Sequence, residues 1–161
     1  MVTCVFPGSF DPVTRGHLDL ISRVSGMFDK VTVTVMNNIH KKNTIPVEKR
    51  VQLLQKACEC FPNVMIDSWD GLLTDYMVRK NEKIVVRGIR DGLELEQEMV
   101  SFSANRMLNN QIEILFVPTD PSLKGVSSSA VREIYSFGGN IQPFIPDELT
   151  EEIKELLSKK R

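Results

Sequence analysis

The chain has 161 residues, 42% of them hydrophobic and 25% charged, with a net charge of -1. That is the composition of one ordinary globular domain, able to bury about two-thirds of its unfolded surface, and its near-zero charge excludes a general attraction to nucleic acid or to an anionic membrane. No apolar run approaches the roughly 20 residues of a membrane span and no basic-then-apolar leader opens the chain, so a cytoplasmic location is expected.

The first apolar run, Val2 to Phe6, predicts a buried strand. It feeds the loop Phe6-Pro7-Gly8-Ser9-Phe10-Asp11-Pro12-Val13-Thr14-Arg15-Gly16-His17, which leads into a helical pattern marked by Ile21, Val24 and Phe28. With Thr14 as N-cap, His17 falls in the first helical turn. Backbone N–H groups at a helix start attract anions, and glycine lets a ligand approach the main chain closely. The loop therefore reads as a phosphate site, and the chemistry as that of a nucleotide.

A second strand, Val31 to Met36, precedes His40, which reads as a solvated loop residue, and the Lys41-Lys42 pair. Val51, Leu54, Cys58 and Phe61 mark the next helix, Val64 to Trp69 the third strand, and Leu72 to Lys80 a short helix. The fourth strand, Lys83 to Val86, is followed by Arg87-Gly88-Ile89-Arg90. Two arginines three apart around a glycine resemble a phosphate clamp, since guanidinium presents a planar fork of donors. The duller alternative is a pair of surface arginines bonded to acids such as Asp91 or Glu94.

Leu95, Met99 and Phe102 carry the following helix, with Glu94, Glu96 and Glu98 as its acidic face. The fifth strand, Ile112 to Val117, leads to Gly125-Val126-Ser127-Ser128-Ser129, whose hydroxyls and free N–H groups would suit phosphate oxygens as well as a helix cap. Helices from about Ser128 to Phe137 and from Asp147 to Lys159 close the chain, the last with Leu149, Ile153, Leu156 and Leu157 on one face. The three cysteines, Cys4, Cys58 and Cys60, are an odd set that argues against a disulfide framework.

Strands alternating with helices predict right-handed βαβ units: a single-domain, Rossmann-like, doubly wound five-stranded parallel sheet with helices on both faces, spanning residues 1–161. Ligands in such sheets bind outside the carboxyl ends of the strands. There stand Ser9 and His17, Lys41 and Lys42, Leu72 and Leu73, then Arg87, Gly88 and Arg90, and Ser127 to Ser129. Neither G-x-x-x-x-G-K-[ST] nor G-x-G-x-x-G follows the first strand, which disfavours a P-loop ATPase or an ordinary dinucleotide oxidoreductase.

The segments PGSFDPVTRGH, Lys41-Lys42, VVRGIRDGLELEQEM and GVSSSAVRE, in this order and spacing, resemble the nucleotidyltransferases that carry a T/H-x-G-H motif, most closely the phosphopantetheine adenylyltransferase family. Ser9 stands where that family often has threonine. The resemblance implies transfer of AMP from ATP to 4′-phosphopantetheine, giving dephospho-coenzyme A and pyrophosphate, with Mg²⁺ as cofactor. It implies a homohexamer and feedback by coenzyme A.

The same resemblance places His17, Lys41 and Arg90 in catalysis and Ser9, Lys41, Leu73 and Arg87 on the acceptor. It gives ATP the residues Ser9, Phe10, His17, Gly88, Ile89, Arg90 and Glu98, with Leu123, Lys124, Gly125, Val126, Ser127, Ser128 and Ser129. Arg132 continues that pattern. The nearest rivals are a nicotinate mononucleotide adenylyltransferase or a cytidylyltransferase; a nucleotide sensor without catalysis is the rival of a different class.

Overall fold

A computed structural model describes residues 1–37 and 43–159. Its five strands are β1 (Thr3–Gly8), β2 (Lys30–Met36), β3 (Val64–Trp69), β4 (Ile84–Ile89) and β5 (Glu113–Pro118). Six helices alternate with them or follow: α1 (Arg15–Ser25), α2 (Val47–Ala57), α3 (Leu73–Lys80), α4 (Gly92–Leu108), α5 (Ser128–Ser136) and α6 (Thr150–Ser158). The strands form one parallel sheet in the order β3-β2-β1-β4-β5. The expected doubly wound sheet is therefore the one found.

Period-2 alternation divides the core between the two faces. From β1, Cys4 and Phe6 join a large apolar cluster with Leu20, Ile21, Leu53, Leu54, Val131 and Ile153. Val5, between them, joins a smaller cluster on the other face with Tyr76, Met77, Val85 and Ile112. From β4, Val86 goes to the large cluster and Val85 to the small one.

The order of the strands reverses at β1 and β4, the switch point at which ligands of such sheets bind. Pairing is thinnest there too. β1 and β2 share a register from Thr3↔Lys30 to Gly8↔Val35, whereas β1 and β4 share only Val5↔Val85 among the described residues. The Pro7 carbonyl, beyond that single pair, takes its hydrogen bond from the Arg87 side chain at 2.6 Å.

Several boundaries differ from expectation. Arg87, Gly88 and Ile89 lie inside β4 and not after it, because the ladder to β5 continues through Arg87↔Phe116, Gly88↔Val117 and Ile89↔Pro118. α2 stops at Ala57, with Cys58 as its C-cap. Within the helix the buried residues are Arg50, Leu53, Leu54 and Ala57; of the predicted stripe, Leu54 and Cys58 are buried in the large cluster and Val51 and Phe61 pack against it. The last predicted helix divides into a 3₁₀ turn at Asp147–Leu149 and α6.

α4 departs furthest. Its Leu95, Met99 and Phe102 stripe predicts a helix packed on the sheet, yet none of its 17 residues is buried. Leu93, Val100, Met107 and Leu108 are exposed. No helix among the described residues is long and apolar enough to cross a membrane.

Candidate active site

A cleft of about 400 Å³ opens at the carboxyl ends of β1 and β4. Two helix starts face it. Thr14 caps α1 and Ser127 caps α5, and the residues around both caps line the cleft. A helix N-terminus concentrates unpaired N–H groups and the positive end of the helix dipole, so two on one cavity make it strongly anion-selective. Arg87, Arg90 and Arg132 add three cations to the same lining.

His17 sits where α1 begins, and its geometry is reciprocal. The Thr14 hydroxyl accepts from the His17 N–H at 3.3 Å, while the His17 Nδ1 accepts from the Thr14 backbone N–H at 3.1 Å. An Nδ1 that accepts from a backbone N–H carries no proton, so the neutral ring keeps its hydrogen on Nε2. Burial, followed by the Arg87 and Arg90 charges, pushes the imidazole down to about 4. His17 is therefore a neutral Nε2–H donor at physiological pH.

The ring is wedged against Phe10, with centroids 4.9 Å apart in an edge-on arrangement, and Phe10 packs in turn on Phe6. Phe10 is 1% exposed and adopts φ 48°, the left-handed region that costs a bulky residue about 1–3 kcal/mol. Its side chain anchors the loop in the core. Only its main chain is left to face the cleft.

Asp11 is also buried, and its carboxylate accepts from Thr44 N at 2.7 Å and Ile45 N at 2.8 Å. Its carbonyl accepts from the Arg132 guanidinium, and the Pro12 carbonyl accepts from the Ser128 hydroxyl at 2.7 Å. α5 is thus tied directly to the loop after β1.

The two arginines of β4 and its end are already partnered. Arg87 donates from Nε to Glu98 at 2.9 Å and from NH2 to the other Glu98 oxygen at 2.5 Å. Arg90 donates from Nε and NH2 to Glu94 at 3.2 and 3.0 Å. A guanidinium has five N–H donors, so Arg87 keeps two after Glu98 and Pro7 are served, and Arg90 keeps three. Each pair orients an arginine without exhausting it. The acid-bonded alternative and the clamp are one arrangement.

Of the residues singled out in the sequence, Ser9, Phe10, His17, Arg87, Gly88, Arg90, Val126, Ser127, Ser128 and Ser129 line the cleft. Leu73, Ile89, Glu98, Leu123, Lys124 and Gly125 do not. Glu98 spends its carboxylate on Arg87. Leu73 packs beside the small cluster under α3. Leu123 closes a 3₁₀ turn whose carbonyl accepts from Val126 N, and that turn delivers Val126 to the cleft. Lys41 and His40 lie outside the described residues.

Gly88 has a packing reason of its own: a Cβ there would collide with Leu20 Cδ1, so glycine lets β4 lie close against α1. Thr119, just after β5, and Asn43 also line the cleft and carry no motif that marks them.

A family model described as cytidylyltransferase-like matches residues 5–134. The chain is 41% identical to a phosphopantetheine adenylyltransferase of Clostridium perfringens over 157 residues, 98% of this chain and 96% of that one. It is 38% identical to the phosphopantetheine adenylyltransferase of Clostridium novyi (strain NT) over 161 residues, the whole of both chains. A solved structure from Vibrio parahaemolyticus, assigned provisionally as a nicotinate-nucleotide adenylyltransferase, superposes with a TM-score of 0.64 at 17% identity, covering 98% of this chain and 92% of that one. At that identity the likeness is one of fold.

Proposed function

The chain belongs to the cytidylyltransferase-like family and, within it, to the phosphopantetheine adenylyltransferases; it transfers AMP from ATP to 4′-phosphopantetheine, and we propose that it does so by direct in-line attack. An acceptor phosphate oxygen forms the new bond to the α-phosphorus. The bond from that phosphorus to the β-bridging oxygen breaks, pyrophosphate leaves with the electron pair, and dephospho-coenzyme A remains. The attacking phosphate is already anionic, so no general base is required, and catalysis is positioning and charge stabilisation.

The observation that supports this reading is the convergence of two helix starts, three arginines and a neutral imidazole on one cleft. His17 donates from Nε2 to an α-phosphate oxygen as charge builds there. Ser9 and the Phe10 main chain hold phosphates of both substrates. Lys41 and Arg87 orient the acceptor, with Leu73 along its pantetheine arm. Arg90, the Gly88–Ile89 backbone, the Leu123–Val126 turn and Ser127 to Ser129 take the β- and γ-phosphates, and Arg132 secures Asp11. Glu98 acts by holding Arg87.

Mg²⁺ fits as a companion of the triphosphate. Both Asp11 oxygens accept backbone N–H groups and Glu94 is spent on Arg90, so the cleft offers the ion no protein cage and leaves it to phosphate oxygens and water. The enzyme is proposed to work in the cytoplasm as a homohexamer, with the bare apolar side of α4 among its contacts and coenzyme A as a feedback ligand. Light scattering tests the assembly.

The reading is tested by pyrophosphate release from ATP with a panel of acceptors. Phosphopantetheine supports release and nicotinate mononucleotide does not. The opposite preference would reassign the enzyme within the fold, and binding of ATP without any release would make it a sensor.

A further inference from the structure

α2 contributes one side chain to this region that no motif marks. Arg50 is 1% exposed, the largest fully buried side chain in the described chain. Its guanidinium donates from Nε to the Ile45 carbonyl at 2.9 Å, from NH1 to the Ser9 carbonyl at 2.7 Å and from NH2 to Asn37 Oδ1 at 3.0 Å. All three acceptors are neutral. Asp11, Glu48 and Asp70 act on it through charge alone.

A buried cation on neutral acceptors is a poor device for stability, because desolvation offsets most of what it gains. What it provides is a fixed geometry between three segments. The Ser9 carbonyl belongs to the Ser9–Phe10 peptide, which is planar and places its C=O and N–H on opposite sides. Holding that carbonyl toward Arg50 turns the Phe10 N–H away from α2. With the Phe10 ring locked in the core, this peptide is what the loop can offer to a phosphate. Ile45 and Asn37 stand on either side of residues 38–42, and Asn37 Oδ1 also accepts from Asn43 Nδ2 at 3.1 Å.

We infer that Arg50 is a positioning residue for the transfer reaction, fixing the Ser9–Phe10 peptide of the cleft against the two chain segments that flank residues 38–42. The inference rests on the proposed transfer to phosphopantetheine, since the Ser9–Phe10 peptide is proposed there to hold substrate phosphates. Arg50 touches no substrate. It acts through the main chain of Ser9.

The test compares the wild-type enzyme with Arg50→Lys and Arg50→Gln by steady-state pyrophosphate release and by ATP titration. Secondary structure and melting temperature are recorded for each. Turnover should fall at least about tenfold, and the KM for phosphopantetheine and the ATP dissociation constant should each rise at least about threefold, because the Ser9–Phe10 peptide serves phosphates of both substrates. Arg50→Lys, which keeps the charge but cannot reach three acceptors at once, should recover part of the loss seen in Arg50→Gln.

A folded Arg50→Lys with unchanged turnover and KM, altered only in melting temperature, would overturn the inference. So would an Arg50→Lys that recovers none of the turnover lost in Arg50→Gln. Should Arg50→Gln fail to fold, Arg50→Lys and Asn37→Ala, which removes one acceptor, carry the same readings. A wild-type enzyme that releases no pyrophosphate with phosphopantetheine would sink the proposed function instead, before any variant is compared.

Discussion

On one side of the cleft, the corner between β1 and α1 is held from within: Thr14 and His17 cap each other, Asp11 accepts two backbone N–H groups, and Arg50 grips the Ser9 carbonyl. On the other side, β4 presents Arg87 and Arg90 through ion pairs to Glu98 and Glu94 on α4, a helix with no buried residue. The corner owes its shape to buried hydrogen bonds between side chains and main chain, where geometry is costly to change. The flank owes its shape to half-exposed charges, whose pairing contributes little stability and is screened by salt. A phosphate therefore meets prebuilt donors on one wall and oriented cations on the other.

The largest expected effect breaks the corner at its reactive end. His17→Ala should lower turnover at least about a hundredfold, roughly 3 kcal/mol, with ATP binding much less affected. Single-turnover kinetics beside an ATP titration would show it, and near-normal turnover would take His17 out of the mechanism. On the flank, Arg87→Lys removes the fork that serves Glu98 and Pro7 and is proposed to orient the acceptor. Its kcat/KM for phosphopantetheine should fall about tenfold or more, or about 1.4 kcal/mol, with ATP use spared.

Gly88→Ala tests how tightly the two walls meet. Its new methyl group would collide with Leu20 on α1, so thermal unfolding should report a loss of about 1–3 kcal/mol, partly recovered by Leu20→Val in the same chain. An unchanged melting temperature would mean that Leu20 yields freely. Glu98→Gln should have the smallest effect. It keeps shape but replaces one charged acceptor with a donor, so the KM for phosphopantetheine should rise about threefold and the rise should shrink at high salt.

The corner was legible because its signals are local. Pro7, Gly8, Thr14, Gly16 and His17 lie within eleven positions, and the cap and phosphate-site readings need no tertiary partner. The sheet was legible for a related reason, since β-branched runs alternating with helical stripes admit few topologies. Arg50 was not. A charged residue beside Lys49 reads as solvated, and its burial depends on three acceptors from distant segments.

Glu98 was placed at ATP by resemblance, because nothing in its neighbourhood of Glu94 and Glu96 says that Arg87 reaches across to it. The end of β4 was misplaced at Val86 because the strand is prolonged by its partner β5 and not by its own composition. The apolar stripe of α4 gives the helix but not its burial. Its period is correct, yet Leu95, Met99 and Val100 stand exposed.

The low proton affinity of His17 also sets a direction for stability. Its folded value lies below that of free imidazole, so on acidification the unfolded chain takes up the proton first. The His17 contribution is flat above about pH 7, and stability is lost as the pH falls from about 6.5 towards 4.

The claim that the corner is built around a neutral His17 before any ligand arrives is tested most directly by an NMR titration of the His17 ring in the free enzyme, assigned with a His40→Gln variant. The account predicts a midpoint near 4 and, above it, a neutral ring protonated on Nε2. A midpoint at or above 6.5, or a proton on Nδ1, would contradict it.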